Sequence, residues 1–113
     1  MQNIDTVALG VDGMDDLTGF QRDLLYAIGG LEDPAGLRIK DVLEEYYETE
    51  VHHGRLYPNL DTLVDKGLVK KGELDRRTNK YELTDRGRRE VQARRDWEDQ
   101  YLSKLKGIKS ETD

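Results

Sequence analysis

With 113 residues, 35% of them apolar and 37% charged, the chain has room for one domain with a lean core. It contains no cysteine, which excludes disulfides, thiolate metal sites and thiol redox switches, and no apolar run approaches the ~20 residues of a spanning helix. The net charge of −6 is unevenly spread: residues 1–65 carry 4 basic and 14 acidic side chains, residues 66–95 carry 11 and 5, and residues 96–113 carry 3 and 5.

A lean core favours pairing with a second copy, and the start Met1-Gln2-Asn3-Ile4-Asp5 lacks a basic, apolar leader, so a soluble, cytoplasmic protein without a membrane partner is expected. The basic block can steer a polyanion whatever the total charge; it can equally be a solvated face. His52 and His53 are adjacent, and neighbours on a helix face different ways, which makes a poor metal pair. No metal or cofactor is expected. Fourteen aspartates against eight lysines, with one phenylalanine, resemble the composition of proteins from salt-loving archaea.

Residues 1–17 read as an N-terminal arm whose apolar patch (Val7, Ala8, Leu9, Val11) is a short strand, a packed arm or a mobile segment. A helix is predicted over Gly19–Leu31: Thr18 with Gln21 fits a capping box, and Phe20, Leu24, Leu25, Ile28 and Leu31 form one stripe. Gly29-Gly30 and Asp33-Pro34-Ala35-Gly36 break it. A second helix over Leu37–Tyr47 puts Ile39, Val42, Leu43 and Tyr46 on one face and Asp41, Glu44, Glu45 and Glu48 mostly on the other. A third, His53–Lys66, turns Leu56, Leu60, Leu63 and Val64 inward, with Gly67 as its natural stop. Strand-like runs at 68–71 and 80–83 flank a turn-rich segment, 72–79, and read as a hairpin with a longer loop. Thr84 then caps a final helix over Asp85–Lys106.

The expected fold is mainly α with a small β-hairpin. It is a winged helix-turn-helix over residues 18–84, followed by a C-terminal dimerisation helix and tail over residues 85–113. In such a fold the third helix enters the DNA major groove. Its apolar side leaves Gly54, Arg55, Pro58, Asn59 and Thr62 near the outward side, and Arg and Asn can make bidentate contacts to guanine and adenine edges. They can also be plain solvated polar residues. Arg76, Arg77 and Lys80, in and beside the hairpin loop, suit a minor groove or a phosphate clamp. On the final helix Val91, Trp97, Tyr101, Leu102 and Leu105 cover an arc wider than one core-facing stripe needs, which fits a dimer interface. Trp97 reads as an interface anchor before a ligand-lining residue.

Leu56-Tyr57-Pro58-Asn59-Leu60 with Leu63, then Lys66-Gly67-Leu68-Val69, resembles the PadR-like signature around the recognition helix, and Lys80-Tyr81-x-Leu83-Thr84-x-x-Gly87 resembles that family's second wing strand and entry into its last helix. The similarity spans about residues 20–105; Leu-Tyr-Pro is its most specific element, the others being shared with further winged-helix families. The resemblance implies a dimer held by the C-terminal helix, both recognition helices and wings facing one operator, Tyr57 near the DNA backbone, and Arg55 and Asn59 facing bases. Small haloarchaeal regulators of this kind are similar throughout, which implies a stress-responsive repressor at palindromic promoter sites. Two departures stand out. His52-His53 occupies the place of a Ser-Pro-like pair, which changes the helix cap and the nearest DNA contacts; His53 is counted among the DNA-facing residues, although the pair reads first as structural or neutral contacts and only second as a proton-tuned phosphate contact. The C-terminal region is also short, with little room for a large ligand pocket, so any small-molecule effector is unidentified. The competing reading is a winged-helix protein-interaction module whose basic wing docks an acidic protein. An enzyme is not expected, because no nucleophile–base pair, phosphate-cradling glycine loop or paired carboxylates can be assembled.

Overall fold

The structure, a computed structural model, describes residues 13–105, so the apolar patch Val7–Val11 lies outside the described residues. A single 3-10 turn, Met14–Asp16, leads in and puts Met14 and Leu17 into the core. Helix α1 (Gly19–Gly30) starts with the predicted capping box: the Thr18 hydroxyl accepts from the Gln21 N–H and the Gln21 Oε1 from the Thr18 N–H, both at 3.1 Å. Phe20, Leu24, Leu25 and Ile28 are buried. Leu31 is not part of that stripe; the chain leaves the helix at Gly30, and Leu31 is a partly exposed C-cap.

Helix α2 (Gly36–Tyr47) buries Ile39 and Leu43. Tyr46, expected beside them, is 77% exposed, and Tyr47 turns inward instead. Both positions lie within a turn of Leu43, so helical spacing permits either. The choice comes from α1: the Tyr47 hydroxyl donates to the Asp23 carboxylate at 2.5 Å, and its ring sits 6.3 Å from that of Phe20. Burial, and then that carboxylate, push the Tyr47 hydroxyl well above its ordinary pKa.

Helix α3 (His53–Asp65) buries Leu56, Leu60 and Leu63. It ends in a Schellman motif. Gly67 takes φ +79°, its N–H donates to Val64, and the Leu68 N–H reaches back to Leu63 at 3.1 Å, with both leucines fully buried.

The hairpin is longer in strand and shorter in loop than its sequence reads. Strands β1 (Val69–Asp75) and β2 (Thr78–Leu83) pair antiparallel from Val69↔Leu83 to Asp75↔Thr78, with Leu74 bulged out and only Arg76-Arg77 in the turn. Both faces of the ribbon are wet near its tip, so Lys, Glu, Asp and Asn occupy strand positions and the apolar alternation that marks a strand is absent. Ala35 bridges to Lys80, and the Tyr81 N–H donates to Pro34 at 2.9 Å, which ties the α1–α2 loop to the hairpin.

Helix α4 (Asp85–Leu102) stops four residues short of Lys106, at a Ser103 C-cap. Thr84 caps it, and the same hydroxyl donates to the Gly67 carbonyl at 2.7 Å, joining the end of α3 to the start of α4. Gly87 makes this junction possible, because a Cβ there would sit 2.1 Å from the Leu68 carbonyl oxygen. The core joins α1, α2, α3 and the inner ends of both strands through Leu24, Leu25, Ile39, Leu56, Leu60, Leu63, Leu68 and Tyr81. Among the described residues no helix is long and apolar enough to cross a membrane.

Candidate nucleic-acid interface

With Leu56, Leu60 and Leu63 facing the core, a 3.6-residue period turns Gly54, Pro58, Asp61, Thr62 and Asp65 to the opposite side of α3. The two aspartates are exposed there, beside the Gly54, Pro58 and Thr62 that the sequence also places on this side. Gly54 is open: a Cβ at this position would meet no atom within 4 Å. Pro58, one turn on, has no N–H to donate to the Gly54 carbonyl. The Thr62 hydroxyl donates to the Pro58 carbonyl at 3.0 Å.

Arg55 and Asn59 lean toward α1 rather than straight outward. The Arg55 guanidinium lies 4.0 Å from the centre of the Phe20 ring, a cation–π contact. The Asn59 oxygen accepts from Gln21 Nε2 at 2.8 Å, and its amino group donates to the Arg55 carbonyl at 2.7 Å. Gln21, 38 positions upstream of Asn59, shows only its capping role in the sequence. On the other flank the Tyr57 ring lies against Gly36, at the start of α2, with the exposed His53 ring edge-on to it at 5.7 Å.

Tyr57 leads into a recess of about 350 Å³ between α2, α3 and the hairpin, lined also by Ala35, Leu37, Lys71, Asn79 and Tyr81. Tyr81 is 2% exposed, and burial raises the pKa of its hydroxyl. Lys71 pairs with Asp61 across the recess at 3.4 Å, a solvent-screened contact worth little to stability. The sequence places Lys71 at the end of the first expected strand and Asn79 in the turn-rich segment, and the longer pairing of β1 with β2 brings both beside α2 and α3. Lys80 sits on β2, 3.7 Å from Asp33. Arg76 and Arg77 stand exposed at the hairpin tip, and the Arg77 N–H donates to the Asp75 carboxylate at 2.9 Å, which shapes the turn and lowers the Asp75 pKa.

The helix starts around this face differ from the others. Ala35 before α2 and His52 before α3 make no side-chain cap, so the first N–H groups of both helices are left without one. Behind the face, on α4, Val91 is partly buried, whereas Trp97, Tyr101 and Leu102 are each about half exposed, as is Leu105, which was expected on this helix but lies three residues past its end. Arg94 pairs with Glu98 at 3.2 Å and covers the Trp97 ring at 4.7 Å. The small C-terminal region leaves more room than expected, since a cleft of about 940 Å³ lies between the end of α1, β2 and α4 and is lined in part by Tyr26, Leu31, Leu83 and Val91.

The sequence profile of the transcriptional regulator PadR-like family matches residues 24–93. Among solved structures, RosR of Halobacterium salinarum grown from NaBr is 53% identical, with a TM-score of 0.72, covering 83% of this chain and 82% of that one. RosR in a complex, RosR-SG, is 52% identical with a TM-score of 0.75, covering 86% and 83%. FabT of Streptococcus pneumoniae in complex with DNA is 22% identical with a TM-score of 0.68, covering 96% and 73%, and shares the fold. No curated protein sequence matches. On the family match and these likenesses, the chain belongs to the PadR-like family of transcriptional regulators.

Proposed function

We propose that the chain regulates transcription by binding double-stranded DNA as a homodimer, repressing promoters that carry palindromic sites. The observation that carries this reading is the makeup of one face: two helices begin there without side-chain caps, beside a hairpin tipped by two arginines. Uncapped helix N-termini offer N–H donors and a positive dipole end to phosphate oxygens, while wing arginines suit the backbone or a minor groove. In this reading the start of α3, with His53, Gly54, Arg55, Tyr57, Pro58, Asn59 and Thr62, enters the major groove. Arg76, Arg77 and Lys80 hold the duplex in register. The open surface at Gly54 lets the helix approach closely.

The apolar surface of α4 and the turn after it (Val91, Trp97, Tyr101, Leu102 and Leu105) is the face a twofold mate covers, and twofold symmetry matches a palindrome. The division into an arm (1–17), a DNA-binding unit (18–84) and a dimerisation helix with tail (85–113) belongs to the same reading, as does a cytoplasmic, stress-responsive regulator without catalytic activity. The test is retardation of promoter fragments by the purified protein. One palindrome should compete while scrambled DNA does not; uniform competition, or capture of acidic protein in place of DNA, favours the interaction module. Arg76→Ala and Arg77→Ala should weaken operator and scrambled DNA alike, whereas Arg55→Ala should cost about 1–3 kcal/mol on the operator alone. Equal losses on both DNAs remove Arg55 from base reading.

A further inference from the structure

Three side-chain hydrogen bonds form a relay from the start of α1 to the recognition helix. The Thr18 N–H donates to Gln21 Oε1 at 3.1 Å, Gln21 Nε2 donates to Asn59 Oδ1 at 2.8 Å, and Asn59 Nδ2 donates to the Arg55 carbonyl at 2.7 Å. An amide side chain can be turned end for end, but here the backbone fixes both ends of the relay. A backbone N–H only donates and a backbone carbonyl only accepts. Thr18 therefore requires the Gln21 oxygen, which turns the Gln21 amino group to Asn59. Arg55 independently requires the Asn59 amino group. The two requirements agree, and the Asn59 oxygen must face α1. Gln21 is also buried, so its amide has little freedom to choose other partners.

We propose that Gln21 is a positioning residue for base recognition, holding the Asn59 amide in one polarity and so deciding which base edge α3 accepts. The inference rests on the DNA-binding reading. Asn59 has one amino proton and one oxygen lone pair left, in places the relay dictates; the exchanged arrangement, oxygen for amino group, is unavailable. Bases differ at their groove edges in the order of donors and acceptors, so an amide of fixed polarity reads one order and rejects its reverse. Gln21→Glu sets the two ends of the relay against each other. Its carboxylate still accepts from Thr18, but its second oxygen repels the Asn59 oxygen while the Arg55 carbonyl still requires the Asn59 amino group, so neither orientation of the amide satisfies both neighbours. Gln21→Met keeps the length and removes the demand.

The experiment is selection of bound sequences from randomised duplex DNA by the full chain, wild type against Gln21→Glu, Gln21→Met and Asn59→Ala, with circular dichroism on each. The wild type should select a palindrome, and Asn59→Ala should flatten preference at one symmetric pair of positions. At that same pair Gln21→Met, which leaves the Arg55 carbonyl alone to orient the amide, should weaken it, and Gln21→Glu should weaken it further, by roughly tenfold or more. Preference elsewhere in the site should hold, which a merely structural role for Gln21 does not predict. If both Gln21 variants keep the wild-type base where Asn59→Ala loses it, Gln21 sets nothing, and the inference falls alone. If Asn59→Ala selects the wild-type sequence, Asn59 reads no base, and the inference again falls alone. A folded wild type that selects no sequence overturns the DNA-binding reading itself. Should Gln21→Glu fail to fold, Gln21→Met against Asn59→Ala decides the matter.

Discussion

The four helices begin in two ways. Helices α1 and α4 start from threonines whose hydroxyls accept N–H groups of the first turn, at Gln21 and at Gly87. Helices α2 and α3 start from Ala35 and His52, which cap nothing. A good N-cap is worth about 1 kcal/mol, so the second pair forgoes stability that a single serine or aspartate restores. The capped helices form the rear, where α4 meets α1 and Thr84 bridges back to Gly67; the uncapped ones meet the hairpin at the Tyr57 recess. The difference teaches that local stability is complete where the chain needs only itself and incomplete where an outside anion can supply the missing acceptors.

Front and rear variants should therefore fail in different currencies. The largest effect belongs to the rear. Trp97→Ala with Leu105→Ala removes the two ends of the exposed apolar surface on α4 and the turn after it. Light scattering should show monomers, and the thermal midpoint should lose its dependence on protein concentration. A double variant that stays a tight dimer places the interface elsewhere.

The front variant Ala35→Asp should split stability from binding. An aspartate at this N-cap satisfies first-turn N–H groups and complements the helix dipole, raising the unfolding free energy by about 0.5–2 kcal/mol in urea titration. It also puts a carboxylate where a phosphate is expected, so operator affinity should fall by roughly 10- to 100-fold, in line with a lost charge-assisted hydrogen bond. Unchanged affinity would show that the start of α2 does not touch DNA.

Two variants of about 1 kcal/mol sharpen the contrast. Thr84→Ala loses both the α4 cap and the bond to Gly67, and should cost about 1–2 kcal/mol of stability with base preference intact, while Thr84→Ser should recover most of it. Gly54→Ala goes the other way. No atom stands where the new Cβ would go, so helix propensity should add up to about 1 kcal/mol, while the operator is bound more weakly because the helix can no longer approach as closely. A Gly54→Ala protein that is more stable and binds equally well removes Gly54 from the interface.

Much of the rear was legible in the sequence because its signals are local. Thr18 with Gln21, Thr84 before Asp85, and Gly67 after a leucine stripe each report on their own few residues, and each sits in the structure where that local chemistry requires. The front was less legible because its partners are distant in the chain. Spacing allowed both Tyr46 and Tyr47 to face inward, and the Asp23 carboxylate decided between them. Asn59 was expected on the outward side, but it lies three residues after Leu56 and four before Leu63, so the helical period already sets it beside the buried stripe, where Gln21 holds it toward α1. The hairpin hid its length for a different reason: an exposed ribbon does not need apolar alternation, so Gly72, Glu73 and Asn79 look like loop residues while pairing as strands.

The smallest expected effect is the dependence of DNA affinity on salt. Phosphate contacts by Lys and Arg normally lose affinity steeply as salt rises, with a log–log slope near −0.9 per phosphate neutralised. On this front the arginines are not the only charges. Asp61 and Asp65 stand on the outward side of α3, and Asp41 and Glu45 are exposed on α2, with Glu48 exposed at its C-cap. At low salt these carboxylates repel the duplex, and added cations screen that repulsion or bind between carboxylate and phosphate, opposing the loss from released counterions. The two trends should largely cancel, giving a shallow or rising affinity with KCl up to the molar range. Titration of operator DNA across KCl concentrations, with the fold followed by circular dichroism, measures it. Asp61→Asn with Asp65→Asn should tighten binding at low KCl and steepen the slope, because it removes the repulsion and leaves the counterion term. A wild type that loses affinity steeply while folded shows that the arginines outweigh the aspartates, and leaves the winged-helix contacts to be judged on the other variants.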